Sequence, residues 1–333
     1  MMDLSTRYLG LDLAHPFMPG ASPMAGNMDM VRRLEDAGAA AIVMYSLFEE
    51  QIMGEQLATH ELMEGPAESF AEALSYLPEP PGFMLGPEDY LEQLRRLKEA
   101  VQVPVIASLN GSTPGGWIRY ARLMEQAGAD AIELNVYRLV TDTEASGEGV
   151  EARTQGVVEA ILREVKIPVA VKLSPFYSSL PHFAARLDRA GASGLILFNR
   201  FYQADIDVET LEASPVLRLS DSSELLLRVR WLAILSGRLK ASLALSGGVH
   251  TGVDAVKAIL SGAHAVQIVS ALLLEGPERL SRIRDEVVDW MEQHEYESLE
   301  QMRGAMSLRH CESPEDLTRA NYVRILQSWR RFL

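Results

Sequence analysis

Lys172 ends a short apolar run, Pro168-Val-Ala-Val-Lys172, and Leu173-Ser174-Pro175 follows it. A run of that length between turn signals reads as a buried strand. A lysine where such a strand emerges is costly unless an anion, a cofactor or a carboxylate meets it. Other apolar runs also end in polar residues or glycine: Ser46, Asn110, Asn135, Asn199, Gly247-Gly248 and Ser270. Polar groups gathered at strand ends are how a barrel of alternating strands and helices builds an active site on its C-terminal face.

Lys172 suits three chemistries. As a structural residue it would pair with a barrel carboxylate, and Glu133 is the candidate. As a Schiff-base nucleophile it would serve an aldolase-type reaction. As a cofactor ligand it would face the electron-rich edge of a flavin and stabilise negative charge on the reduced ring. The stretch Ser246-Gly247-Gly248-Val249-His250-Thr251-Gly252 adds a second function. Its glycines let backbone N–H groups approach a phosphate, and Ser270 at the end of the next strand supplies a further donor. That seventh and eighth strand pair is the usual phosphate site of such barrels. Asn135 and Asn199 end the strands on either side of the lysine strand. Each either closes a loop or recognises a ring, since a buried amide must make its hydrogen bonds.

Eight strands are expected, at 16–22, 39–46, 103–110, 130–137, 168–174, 194–199, 242–248 and 265–270. Helical patterns separate them, at 27–37, 87–100, 114–127, 149–164, 179–190, 223–238 and 252–261. Three helices end in one punctuation: Ala37-Gly38-Ala39, Ala127-Gly128-Ala129 and Ala190-Gly191-Ala192, echoed by Ser261-Gly262-Ala263. Glycine just past the last turn is a helix C-cap, and a strand follows at once. The repeated unit predicts an α/β fold, a (β/α)8 TIM barrel forming one domain over 1–333. Loop insertions at 47–86, 138–150 and 200–222 follow strand ends and belong to the active-site face. Extra helices at 278–294, 297–305 and 315–332 complete the chain.

Bulk composition narrows the partners. The chain is 47% apolar and 23% charged, ordinary for a globular protein, and its net charge is −15. That charge repels phosphate backbones and argues against nucleic acid. The single cysteine, Cys311, excludes an internal disulfide and fits a reducing compartment. Early charges at Asp3, Arg7 and Asp12 break any signal peptide. The 17 uncharged residues between Lys257 and Glu275 include Ser261, His264, Gln267 and Ser270, and read as a helix end plus a strand, with no membrane span. There is no CxxC pair, HExxH or HxH, so no metal site is expected. No GxGxxG opens a helix.

The order of these motifs resembles the dihydroorotate dehydrogenase family of FMN-dependent barrels. The opening Leu4-Ser5-Thr6-Arg7-Tyr8-Leu9-Gly10-Leu11 with Pro16-Phe17-Met18 is similar. So are Glu133-Leu134-Asn135, Val171-Lys172-Leu173-Ser174-Pro175, Gly247 to Gly252, and the tail from Ala271-Leu272 through Glu275-Gly276-Pro277 to Tyr296-Glu297-Ser298-Leu299-Glu300. The resemblance implies FMN in the barrel mouth. Lys172 would contact the flavin, and Gly20 and Ser46 would touch the ring. Asn135 and Asn199 would line the ring and substrate side, and Gly247, Gly248 and Ser270 would hold the phosphate. Membrane-docking helices of the quinone-reducing branch are missing. The resemblance is therefore to the soluble branch, which implies a cytoplasmic homodimer, with an electron-transfer partner subunit as one route to the acceptor.

Departures fall on the substrate half. The family follows its strand-four Asn with a Ser/Cys-Pro-Asn segment that supplies the catalytic base and a substrate-binding Asn. Here the chain reads Asn135-Val136-Tyr137-Arg138-Leu139-Val140, with Arg138 at the base position and Val140 at the Asn position. The soluble branch's strand-two lysine is replaced by Tyr45, and Leu85-Gly86-Pro87-Glu88 lacks the loop Asn. An arginine cannot act as a base, so Tyr137, Thr141 or Thr143 would take the proton. The expected activity is an FMN-dependent dehydrogenase acting on a CH–CH group. Its substrate is dihydroorotate or another small anion, bound by Asn135, Asn199 and Arg200, with Lys172, Arg138 and Tyr137 as catalytic candidates. A flavin-binding protein with decayed catalysis and a Schiff-base aldolase using Lys172 are the alternatives.

Overall fold

Side chains alternate between the two faces of a strand, so a buried strand covered on both faces reads as a continuous apolar run. Eight such runs form one parallel sheet in the computed structural model, which describes residues 2–48, 86–110, 115–136, 138–201, 205–214, 217–311, 314 and 321–328. The strands are β1 (Phe17–Pro19), β2 (Ile42–Phe48), β3 (Val105–Asn110), β4 (Ala131–Asn135), β5 (Val169–Leu173), β6 (Gly194–Leu197), β7 (Ser242–Ser246) and β8 (Ala265–Ile268). Their order is β1-β8-β7-β6-β5-β4-β3-β2. The ring closes where the Ala40 N–H, at the entry to β2, donates to the Phe17 carbonyl at 3.0 Å.

Helices α1 (Met28–Asp36), α2 (Pro87–Ala100), α3 (Gly115–Gln126), α4 (Gly147–Glu164), α5 (Leu180–Ala190), α6 (Leu225–Leu235) and α7 (Gly252–Leu260) alternate with the strands. Gly38, Gly128, Gly191 and Gly262 all take positive φ, between 86° and 113°, so the repeated punctuation is a set of left-handed helix stops. The architecture is the (β/α)8 barrel. Strand ends differ from expectation by a few residues, most at β2. That strand is irregular between Val43 and Ser46 and runs on to Phe48, which leaves Ser46 inside the strand. Residues 49–85, most of the first expected insertion, lie outside the described residues.

The period of two divides the core. Val169, Val171 and Leu173 point outward to the helices. Met18, Val43, Ile106, Ala170, Ile196 and Ala244 fill the barrel interior as one layer. Small residues there leave room for a plug that the sequence did not announce. Thr6–Tyr8 pairs antiparallel with Leu11–Leu13 through a turn whose residues Leu9 and Gly10 have φ of 55° and 78°, the geometry of a tight hairpin that matches strand twist. Tyr8 and Leu9 join the inner layer, and a Cβ added at Gly194 would lie 2.4 Å from Leu9 Cδ2. The plug seals the N-terminal end and leaves polar side chains for the other end.

A second unforeseen hairpin, Asp205–Asp207 with Glu212–Ser214, rises from the loop after β6. After β8 come α8 (Ser270–Glu275), α9 (Glu278–Gln293), α10 (Leu299–Met302) and α11 (Asn321–Gln327). Helix α9 is more than filler. Arg279 donates from Nε and Nη2 to the His250 carbonyl at 3.0 and 2.6 Å and pairs with Glu286 at 2.8 Å, bracing the loop after β7. Among the described residues, no helix is long and apolar enough to cross a membrane.

Candidate active site

Two residues beyond the apolar layer, the inward positions turn polar. Glu133 on β4, Lys172 on β5 and Gln267 on β8 are 1%, 6% and 0% exposed. The Lys172 ammonium donates to Glu133 Oε1 at 2.9 Å and to Gln267 Oε1 at 3.3 Å, while Gln267 Nε2 donates to Glu133 Oε2 at 2.6 Å. The carboxylate that the structural reading of Lys172 requires is therefore present. A buried ion pair is weak support for stability by itself, because desolvation offsets its attraction. Three strands spend inward positions on charge and amide where alanine fills the layer below.

Asn135, two residues beyond Glu133, lies beside Lys172 in register and is buried. Its Oδ1 is buried with no partner. An unmet buried acceptor costs about 1–3 kcal/mol, and a bound molecule that donates to it removes that cost. Asn199 lies two residues past β6, half-buried, with its N–H donating to the Leu173 carbonyl at 2.8 Å. Gly20 follows β1, where a Cβ would come within 2.9 Å of Val269 and 3.2 Å of Gln267 Cβ. Only a residue without a side chain fits beside the polar ring there.

The residues expected to hold a phosphate come together in one corner. Gly247 and Gly248 have φ of 91° and 82°, and a Cβ on Gly248 would meet the Leu225 backbone nitrogen at 2.7 Å. Ser270 opens α8 and accepts from the Ser220 N–H at 3.0 Å. Ser220 Oγ lies 2.8 Å from Ser270 Oγ and accepts from the Gly248 N–H at 3.3 Å. Behind the glycines is Arg228, 6% exposed, donating to the Ser246 and Glu224 carbonyls. Burial holds its guanidinium below its ordinary pKa, against the pull of Glu224. Asp254 fixes the loop by accepting from Ser222 Oγ at 2.7 Å and from the N–H groups of Thr251 and His250 at 3.0 and 3.1 Å. Burial alone would raise its carboxyl pKa, but these donors hold it below the usual value.

On the β2–β3 side, Ser46 and Ser108 share a hydroxyl hydrogen bond of 2.7 Å. Tyr90 from α2 accepts from the Ser108 N–H at 2.8 Å. Tyr45 packs edge-on against Tyr90, with centroids 5.1 Å apart. Its hydroxyl is buried without a partner, and desolvation with the nearby Asp89 charge pushes its pKa up to about 12. It is therefore a phenol at neutral pH.

The two arginines differ. Arg200 Nη2 lies 3.5 Å from Glu224 Oε1, and Arg228 approaches the other oxygen of Glu224 at 3.8 Å. Arg138 is exposed, and no ion pair engages it among the described residues. Tyr137 lies outside the described residues; Thr141 and Thr143 are exposed on the loop after β4. Sequence reasoning passed over Gln267, Ser220 and Arg228 as site residues. Gln267 carried a signal, a lone amide in the run Ala265-Val-Gln-Ile-Val-Ser270. Ser220 and Arg228 lie in loop and helix segments of ordinary composition and become visible only through their partners.

The ring, the orphan Asn135 oxygen and the glycine–serine corner together suit a flat polar ring carrying a phosphate. Among the described residues no His/Cys/Asp/Glu cluster is set to hold a metal. The model of the dihydroorotate dehydrogenase family matches residues 3–291. The catalytic subunit of dihydroorotate dehydrogenase B (NAD(+)) from Thermoplasma volcanium is 29% identical over 91% of this chain and 98% of its own length. The corresponding subunit from Pyrococcus abyssi is 28% identical over 90% and 98%. The NAD-dependent dihydropyrimidine dehydrogenase subunit PreA of Escherichia coli is 24% identical over 96% of this chain and 80% of its own. With a family model matched across the strands that carry the polar ring, the orphan Asn135 oxygen and the glycine–serine corner, the chain belongs to the dihydroorotate dehydrogenase family.

Proposed function

We propose that this protein is an FMN-dependent oxidoreductase that removes two hydrogens across a CH–CH bond of a small anionic ring or acid. The carrying observation is the placement of Lys172, Asn135 and the Gly248–Ser220–Ser270 corner at one end of one barrel. When bound, FMN would supply the two-electron acceptor for a hydride leaving the substrate carbon. Lys172 would place positive charge against the ring edge that becomes electron-rich. Asn135 Oδ1 would accept a hydrogen bond from ring or substrate. Gly247, Gly248 and Ser270 would hold the phosphate, with Arg228 behind them adding positive potential. Gly20 and Ser46 would face the ring.

The proton lost from the neighbouring carbon needs an acceptor, and Arg138 cannot be one. Tyr137, Thr141 and Thr143 are the hydroxyls on that loop. The curated relatives named above act on dihydroorotate or dihydropyrimidines, so those rings are the first substrates to try. A second reading is favoured by one observation. Exposed Arg138 has no ion-pair partner among the described residues and follows Asn135 by three positions, which suits bidentate binding of a substrate carboxylate. Asn199 and Arg200 would complete that subsite. A homodimer in the cytoplasm and a separate electron-transfer subunit belong to the same proposal, since relatives of this family are named as catalytic subunits.

The test starts with colour. Purified protein should be yellow, and denaturation should release FMN. A colourless protein that no added FMN reconstitutes overturns the proposal. Anaerobic mixing with dihydroorotate, dihydrouracil and other small acids should bleach the flavin with one of them. Borohydride trapping at Lys172 with a carbonyl substrate would instead mark the aldolase alternative.

A further inference from the structure

The ring formed by Glu133, Lys172 and Gln267 is closed. Each charged group has two partners, and the amide uses both of its ends. Its orientation follows from chemistry: reversing the amide would set its NH2 against the ammonium and its oxygen against the carboxylate, donor to donor and acceptor to acceptor. Glu133 and Lys172 stand on adjacent strands, but Gln267 reaches them from β8, separated from β5 by β6 and β7. A lysine needing only neutralisation would be served by Glu133 alone. The third member fixes where the ammonium sits, and the carboxylate behind it sets how much of its charge is felt beyond the ring. In a buried site such charges act strongly, because little solvent screens them.

We propose that Glu133 and Gln267 are positioning residues that hold the Lys172 ammonium in place with part of its charge cancelled, and so set the protein's preference between oxidised and reduced FMN. The inference rests on the FMN reading above. A lone fixed cation would favour the reduced, negatively charged ring strongly. The Glu133 carboxylate offsets part of that preference and keeps the reduced cofactor able to pass its electrons on.

Titrating apoprotein with oxidised FMN in air and with dithionite-reduced FMN under anaerobic conditions gives two dissociation constants, and their ratio is the readout. Glu133→Gln should raise the preference for reduced FMN at least tenfold. Gln267→Glu, which adds a second carboxylate, and Lys172→Gln should lower it. The double variant Glu133→Gln/Lys172→Gln should fall between its two single variants. It also leaves no buried charge unpaired, so it reports even where a single variant folds poorly. A purely structural Glu133 would lower the melting temperature and leave the ratio unchanged. A ratio within twofold of wild type in Glu133→Gln and in Gln267→Glu, with FMN bound by the wild type, overturns this inference and leaves the FMN reading standing. Wild-type protein that binds neither form of FMN overturns both.

Discussion

Ser220 Oγ and Ser270 Oγ lie 2.8 Å apart, which ties the loop ahead of α6 to the first residue of α8. The Gly248 N–H reaches the same Ser220 oxygen at 3.3 Å, so three chain segments converge on one small polar corner. Ser270→Asp puts a carboxylate there and should abolish FMN binding by like-charge repulsion with the phosphate. Ser220→Ala removes one neutral hydrogen-bonding group, about 0.5–1.5 kcal/mol, and should weaken FMN several-fold. Fluorescence titration with FMN measures both. Full cofactor occupancy in Ser270→Asp would place the phosphate elsewhere.

Lys172→Met leaves the Glu133 carboxylate buried without its cation. Breaking a buried pair from one side costs about 3–5 kcal/mol, and urea unfolding should show a loss of that size. Adding Glu133→Gln removes the stranded charge and should restore most of it. The double variant should remain slow in flavin reduction, because the cation proposed to face the flavin is still missing. Single and double variants of equal stability would mean that the unpaired Glu133 carboxylate is not what destabilises Lys172→Met.

Acid should destabilise the fold through two buried histidines. Burial is the main cause that lowers His15 and His264 to a pKa of about 4. Both also use Nδ1 as an acceptor, from the Phe17 N–H at 3.2 Å and the Leu243 N–H at 3.1 Å. An unfolded histidine titrates near 6.5. Between those values the unfolded chain binds more protons than the folded one, so stability rises with pH across that window. The contribution is complete above about pH 6.5 and is lost as pH falls toward 4, on the order of 2–3 kcal/mol for each residue. Replacing both by Asn, which keeps an acceptor and cannot be protonated, should flatten the stability profile between pH 6.5 and 4. An unchanged slope would assign acid sensitivity to other groups.

Most of the fold was readable because barrel units repeat. Each apolar run, each glycine stop and each strand-end polar residue carries a local signal, and the eight strands and the meeting of Gly247, Gly248 and Ser270 follow from them. Pairings across the barrel were not readable. Gln267 meets Glu133 from 134 residues away, and no local pattern encodes that distance. The N-terminal hairpin was missed because its strands are three residues long and its turn places Leu9 at a positive φ, where a sequence reader expects glycine or asparagine. Lys172 shows the reverse case. Glu133 was nameable as a partner from sequence, but only three-dimensional packing shows that the lysine is held by two groups at once.

Arg138 and Arg200 are the pair proposed to bind a substrate carboxylate. Arg200 already shares Glu224 with Arg228, so a substrate carboxylate must compete with that carboxylate for it. Arg138 is exposed on the loop after β4, three residues beyond Asn135 with its orphan Oδ1. A charge-assisted hydrogen bond is worth about 1.5–3 kcal/mol, so Arg138→Gln should weaken small carboxylates roughly tenfold or more, and Arg200→Gln should weaken them less. Orotate and other small carboxylates titrated against the flavin spectrum provide the measurement. Because an arginine stands at the base position, dihydroorotate itself should be oxidised slowly. Wild-type turnover of dihydroorotate at an ordinary enzymatic rate, about 1–10³ s⁻¹, would show that a hydroxyl on this loop or another group serves as base and that the pocket keeps the family's substrate. Unchanged carboxylate binding in both Gln variants would remove the arginines from recognition altogether.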